Sequence, residues 1–172
     1  VALNGRDAVL AEAEADGWIG SGPQKPICIF IADCVPLFVW AKNLSAFGVF
    51  HAGWRGTHAG MPAAAVEAFR EHYGVLPKDL QASVGPHIGA CCYPVGSDVA
   101  GRFHPRSLVV KGDGDIRLDL GVEVRAQLMD AGVASSEIAV SEDCTSCLSS
   151  DFYSYRREKL RNCMRAFLIL NP

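Results

Sequence analysis

The chain has no apolar run long enough to span a bilayer. Its longest strongly apolar stretch, residues 26–40, carries Asp33 within it and falls short of the roughly 20 residues a membrane helix needs. Nor is there an excess of positive charge. Sixteen Lys and Arg against 19 Asp and Glu leave a net charge of −3, which sets general nucleic-acid binding aside. Seven cysteines in 172 residues cannot all pair within the chain and are too sparse for a small disulfide scaffold. Buried or chemically used thiols in a reducing cytoplasm are the expectation instead. The sequence also lacks internal repeats, low-complexity tracts and any linker long enough to divide it. With 49% hydrophobic and 20% charged residues, it reads as one globular domain over residues 1–172. It begins at Val1 in mid-pattern, so a preceding portion is expected.

What is present is an alternation of strand and helix patterns. An acidic, alanine-rich stretch, LAEAEADG, precedes the punctuation SGPQKP, and ICIFIADCVPLFVW follows. Its β-branched and aromatic residues suggest two strands meeting near Cys34 and Pro36. Lys42 and Asn43 form a turn, and SAFGVFH is a third strand. From Thr57 the period changes: Met61, Ala65, Phe69 and Tyr73 recur at helical spacing, with Gly74 as the stop. Leu80–Val84 is a short strand leading into the turn GPHIG, and Ser97 caps a short helix holding Val99, Ala100 and Phe103. A second strong helix starts at Asp119, aligns Leu120, Val124 and Leu128, and stops at Gly132. Residues 137–141 and 165–170 are further strand candidates. Hairpin-like and helix-separated strands together predict an α/β domain, bordering on α+β, with a mixed sheet and flanking helices.

The chemistry-bearing residues sit at the ends of these strands. Cys34 interrupts an apolar strand beside Asp33, and His51 closes the following strand just before the turn AGWRG. If the two strands pair as a hairpin-like unit, both residues return to the same end of the sheet, where ligands of α/β proteins usually bind. A thiol and an imidazole so placed can be two zinc ligands or a nucleophile with its base; a buried thiol near a structural histidine is the plainer reading. Arg55, between Gly53 and Gly56, can be carried close to His51 on a sharp turn. Its planar fork would suit a phosphate or carboxylate, although a turn arginine in a surface ion pair explains it as simply. In GPHIGACCYPVG, glycines let backbone amides approach an anion, but no phosphate-loop spacing is matched. Packing is favoured for at least one of the vicinal Cys91 and Cys92, and a turn role for His87. Cys144 and Cys147, in CTSC, can be half of a zinc site that recruits Cys91 or Cys92, or a redox pair. In FYSYRREK, Tyr153 and Tyr155 beside Arg156 and Arg157 can stack a base or sugar, or simply enter the core.

Taken together, IADCVP, HAGWRG, GPHIGACCYPVG and DCTSCLSSDFYSYRR resemble, in order, the motifs of the bacterial YfiH-type, laccase-domain family, over about residues 14–170. Members of that family are also called polyphenol oxidases or zinc-dependent purine nucleoside phosphorylases. The resemblance implies an α/β fold with a mixed sheet and a zinc site of two histidines and one cysteine. The family cysteine falls on Cys34 and the later histidine on His51. The first family histidine belongs to a QVHG-like segment expected ahead of Val1. The resemblance further implies phosphorolysis of adenosine, guanosine, inosine and methylthioadenosine, with adenosine deamination beside it. Purine nucleoside and phosphate are the implied partners, with Arg55 the candidate phosphate cradle.

Two other readings compete. A laccase-like oxidase would need copper, and blue-copper and multicopper sites draw on many histidines. Five histidines with no His-x-His pair do not supply that set. Without any metal, Cys34 as nucleophile and His51 as base would make a hydrolase or amidase, for instance one acting on a cell-wall precursor.

Overall fold

The computed structural model describes residues 2–3, 15–22, 26–112, 114–159 and 162–170. Residues 10–14 of the acidic stretch and 23–25 of the punctuation after it lie outside the described residues. At the centre is a hairpin. Val35–Ala41 (β4) runs into a turn closed by a 2.9 Å bond from Ala41 N to the Ala46 carbonyl, and Phe47–Ala52 (β5) returns beside it. The register pairs Trp40 with Phe47 at the turn, and Pro36 with His51 and Val35 with Ala52 at the open end. That register returns Cys34 and His51 to one end, as their spacing required.

Four more strands extend the hairpin among the described residues: Ala2–Leu3 (β1), Gly17–Gly20 (β2), Leu80–Val84 (β6) and Ile138–Val140 (β9). The order is β1-β2-β5-β4-β6-β9. The successive pairs β2–β5, β5–β4 and β4–β6 are antiparallel, while β1 and β9 add parallel edges, so the sheet is mixed.

Period-2 alternation divides this sheet into two apolar layers. On one face Val35, Leu37 and Val39 meet Phe50 and Ala52, together with Met61–Tyr73 (α2) and Leu120–Asp130 (α4). The expected helical faces are present: Ala65, Phe69, Leu120, Val124 and Leu128 are buried. Asp119 caps α4, its carboxylate accepting from Val122 N at 2.9 Å. On the other face Phe47 and Val49 pack beneath Ile27–Ile31 (β3) and Met164–Leu168 (β10), which form their own antiparallel ribbon. Each large side chain buried in these layers contributes about 1.5–3 kcal/mol.

Local differences from the sequence reading have identifiable causes. β3 and β4 do meet at Cys34, but Asp33 takes a φ of 78°, and this left-handed bend sends β3 into the ribbon layer. The helix expected from Thr57 is two helices, Trp54–His58 (α1) and α2, separated by Gly60 at a φ of 86°. Thr57 is buried inside α1, its hydroxyl bonded to the Ala52 carbonyl. Gly96, not Ser97, occupies the cap position of the short helix Ser97–Ala100 (α3). A hairpin of Leu108–Lys111 (β7) and Asp115–Leu118 (β8) and a short helix at Tyr155–Glu158 (α5) complete the described elements. No described helix is long and apolar enough to cross a membrane.

Candidate functional site

Cys34 and His51 share a face at the open end of the β4–β5 hairpin, and Gly53 is the gap between them. A Cβ built on Gly53 would lie 2.9 Å from Cys34 Sγ and 3.6 Å from His51 Cε1. The absent side chain is therefore what lets thiol and imidazole converge. Asp16 approaches from the bend just before β2: its Oδ1 lies 3.3 Å from His51 Nδ1, and its carbonyl accepts from His51 N at 2.6 Å. A carboxylate on Nδ1 holds the ring and leaves Nε2 as the nitrogen available to a ligand.

Asp33 fixes the other half. Its buried carboxylate accepts from Thr145 Oγ1 and from Arg156 N, both at 2.7 Å, and its carbonyl accepts from Ile88 N at 2.9 Å. Three segments far apart in sequence are thus tied to the bend that carries Cys34. The thiol is pushed up to about 11, chiefly by burial and then by the Asp33 and Asp16 carboxylates. A thiol so placed is protonated at neutral pH, the opposite of an activated nucleophile. A nearby cation would favour the thiolate.

Beside Cys34 opens a cavity of about 230 Å³, lined among others by Trp54, Tyr93, Tyr155 and Arg156. Arg55 is exposed, with its guanidinium 4.5 Å from the centre of the Trp54 ring. Among the described residues it makes no ion pair. Arg156 stacks on Tyr93 at 5.0 Å and donates to the Pro94 carbonyl. The Tyr93 hydroxyl is raised by burial first, further by Cys34 and Asp33, and is lowered by Arg156 and Arg55. Both arginines therefore act on the same side chain as Cys34 does. The sequence singled out Arg55 as the cation of this region. The sequence marks Arg156 only as part of FYSYRREK, where nothing local distinguishes it from Arg157. The latter serves the backbone, bonding the carbonyls of Thr145, Ser146 and Phe152.

A second group of thiols lies on the loops behind this cavity. Cys91, Cys92, Cys144 and Cys147 present sulfurs that are all within 4.8 Å of one another, an arrangement that could hold a metal ion. Neither vicinal cysteine packs into the core: Cys91 is exposed and Cys92 half-buried, and their sulfurs lie 3.5 and 3.4 Å from Cys147 Sγ. The Cys144 thiol is drawn down to about 7: burial works against the shift, but N–H donors from Gly89 and Cys147 and hydrogen bonds from Cys91 and Cys147 outweigh it. Its neighbour Cys147 is pushed up to about 12 by hydrogen bonds from Cys92, Cys91 and Cys144. His87 is buried and structural, with Nδ1 2.9 Å from the Gly85 carbonyl, as a turn role requires.

His58 and His104 are engaged with the backbone elsewhere. His58 Nδ1 lies 3.1 Å from the Arg102 carbonyl, and His104 Nδ1 accepts from Arg106 N. Among the described residues, no histidine belongs to a group of three or more candidate ligands. The thiol and carboxylate-held imidazole facing each other across Gly53 are of donor types that zinc accepts.

The chain is similar in sequence and in fold to several known proteins. A family model described as multi-copper polyphenol oxidoreductase laccase matches residues 2–170. A purine nucleoside phosphorylase, YlmD, of Geobacillus stearothermophilus is 36% identical over 161 residues, 90% of this chain and 59% of that protein. An adenosine deaminase, RL5, of an unknown prokaryotic organism is 35% identical over 133 residues, 73% of this chain and 50% of that protein. The crystal structure of the hypothetical protein YfiH of Bacillus licheniformis superposes with a TM-score of 0.85 at 34% identity, over 91% of this chain and 61% of that one. The chain thus spans between a half and two thirds of the lengths of these three proteins.

Proposed function

The chain belongs to the multi-copper polyphenol oxidoreductase laccase family, and from that premise we propose that it acts on purine nucleosides as a zinc-dependent phosphorylase that also deaminates adenosine. Adenosine, guanosine, inosine and methylthioadenosine are the proposed substrates, with inorganic phosphate. The observation that carries the reading is the Asp16–His51–Gly53–Cys34 arrangement at the edge of an aromatic cavity with two arginines at hand. Relatives named for purine nucleoside phosphorolysis and adenosine deamination support it.

Each part of the site has a use in such a reaction. Trp54, Tyr93 and Tyr155 offer flat apolar walls against which a purine can lie. Arg55 and Arg156 offer planar forks that match phosphate. In phosphorolysis a phosphate oxygen bonds to ribose C1′ while the C1′–N9 bond breaks, its electron pair leaving on the purine. Holding the phosphate dianion beside C1′ removes much of the entropic cost of bringing two solutes together. Cys34 and His51 would hold the zinc, which when bound supplies Lewis-acid charge beside the substrate. A metal-free cysteine hydrolase fits less well, because Cys34 is a protonated thiol at neutral pH. A multicopper oxidase fits less well because His58, His87 and His104 are each engaged with separate backbone groups.

The test is adenosine turnover by zinc-loaded protein with and without phosphate. Adenine release that requires phosphate is expected, and its absence would sink the phosphorylase reading. Inosine formation without phosphate reports the deaminase activity. Loss of phosphorolysis in a folded Arg55→Ala protein would support the phosphate role of that side chain, and unchanged turnover would remove it.

A further inference from the structure

We propose that Cys91, Cys92, Cys144 and Cys147 bind one zinc ion in a structural four-thiolate site separate from the Cys34–His51 pair. Four thiolates around a tetrahedral zinc at about 2.3 Å place their sulfurs roughly 3.8 Å apart. The four sulfurs here are all within 4.8 Å of one another, and Cys147 Sγ lies 3.5 Å from Cys91 Sγ and 3.4 Å from Cys92 Sγ. They enclose space for one ion and leave none for an iron–sulfur core, whose inorganic sulfurs would have to fit inside. No two of the seven cysteines are joined as a disulfide, so all four thiols are available as ligands.

The backbone around the sulfurs is arranged as a ligand loop requires. Two turns contribute two cysteines each: Cys92 N donates to the Gly89 carbonyl, and Cys147 N to the Cys144 carbonyl. Gly89 N donates to Cys144 Sγ at 3.3 Å, the type of bond that stabilises a thiolate. Gly89 also leaves room for that sulfur, since a Cβ there would sit 3.2 Å from Cys91 Sγ and 3.7 Å from Cys144 Sγ. The turns are held against each other by a parallel bridge between His87 and Cys144 and by Thr145 N donating to the His87 carbonyl. Four thiols gathered this way repel one another once they ionise, and a divalent ion removes that repulsion.

The position gives the ion a consequence for the cavity. Cys144 precedes Thr145, whose hydroxyl holds Asp33, and Cys92 precedes Tyr93, on which Arg156 stacks. Clipping the two turns together therefore fixes both the bend that carries Cys34 and one wall of the cavity beside it. The inference is independent of the nucleoside reading, because its readout is metal and not turnover.

The experiment uses the full chain with Cys34→Ser and His51→Ala, which removes the other candidate ligands. About one zinc per chain is expected to remain after gel filtration, and Cys144→Ser with Cys147→Ser in that background should abolish it. Cobalt loaded into the Cys34→Ser, His51→Ala protein should give the intense visible bands of a tetrahedral four-thiolate ion. This measurement decides even if the quadruple variant fails to fold. Thiol titration should find only Cys28 and Cys163, both exposed, reacting fast before chelation, with the other four following after it. Absence of stoichiometric zinc and cobalt, or disulfides among these four thiols, would overturn the proposal. A ferric-thiolate colour in the purified protein would overturn the assignment to zinc.

Discussion

Replacing Gly53 with alanine would put one methyl group into the gap between Cys34 and His51. The backbone there has φ −69° and ψ 171°, ordinary extended geometry that alanine adopts freely. Whatever the substitution costs therefore comes from contact and not from strain. The new Cβ would lie 2.9 Å from Cys34 Sγ, 3.7 Å from Cys34 Cβ and 3.6 Å from His51 Cε1. Non-bonded carbon contacts settle at about 3.5–4.0 Å, so the thiol must retreat by roughly 0.6–1 Å. Overpacking of this kind costs about 1–3 kcal/mol in a closed core, and the low end applies here because Cys34 borders an open cavity. The functional cost is larger, since misplacing a reacting group by about 1 Å can cost up to about 10²-fold in rate. Gly53→Ala is thus expected to melt within a few degrees of the parent, to bind zinc more weakly, and to lose about 10- to 100-fold in kcat/KM for phosphorolysis. The control is Gly74→Ala, at the C-terminus of α2. Gly74 has a φ of 66° and nothing within 4 Å of an added Cβ. It should lose about 1 kcal/mol of stability with zinc content and turnover unchanged. Zinc per chain, phosphate-dependent adenine release and thermal unfolding measure all three quantities. Parental zinc content and kcat/KM in Gly53→Ala would refute the idea that Cys34 and His51 act together across this glycine.

Three further outcomes follow from the same geometry. Alkylation of Cys34 in metal-free protein should be slow at pH 7 and accelerate as pH rises towards about 11, because burial and the Asp33 and Asp16 carboxylates favour the neutral thiol. Relative to a thiol at 9.0, that leaves about 100-fold less thiolate at neutral pH; rapid modification at pH 7, followed by mass spectrometry, would restore the metal-free nucleophile reading. Asp16→Asn removes the carboxylate from His51 Nδ1 and should weaken zinc binding by about 10- to 100-fold in a competition titration. The melting temperature should barely move, since that carboxylate is largely exposed. Asp33→Asn keeps a residue type that tolerates the left-handed bend but turns one of two buried acceptors into a donor facing Thr145 or Arg156. A loss of about 1–3 kcal/mol in denaturant unfolding is expected, and an unchanged midpoint would remove Asp33 as the tie between the three segments.

How much of this was legible in the sequence depended on the range of the contacts involved. The Cys34–His51 approach follows from one turn and one register: a hairpin across Lys42 and Asn43 returns both residues to the same end. Period and punctuation were enough for that, as they were for the buried faces of α2 and α4. The layer to which β3 belongs was not legible. It depends on a left-handed bend at Asp33, and aspartate tolerates that region without announcing it. It also depends on pairing with β10 at the far end of the chain, which no local pattern encodes. Arg156 was hidden for the same reason, since its access to the cavity is set by Asp33 and Tyr93 and not by its neighbours.

The four cysteines show the limit most clearly. Within the sequence, CTSC is half a site that needs Cys91 or Cys92, and packing is favoured for at least one of that pair, because ligands two turns apart need a partner loop at a known distance. The fold supplies that loop through the His87–Cys144 bridge. The same bridge places Thr145 against Asp33, and so links the thiol cluster to the bend beside Cys34. Disturbance at either end must then be felt at the other to the extent that Asp33, Thr145 and Arg156 move as one unit. In a double-mutant cycle, Asp33→Asn combined with Cys147→Ser should cost less than the sum of the two single changes, because either alone already frees the shared segment. Strict additivity, measured by denaturant unfolding, would mean that the two ends are held independently.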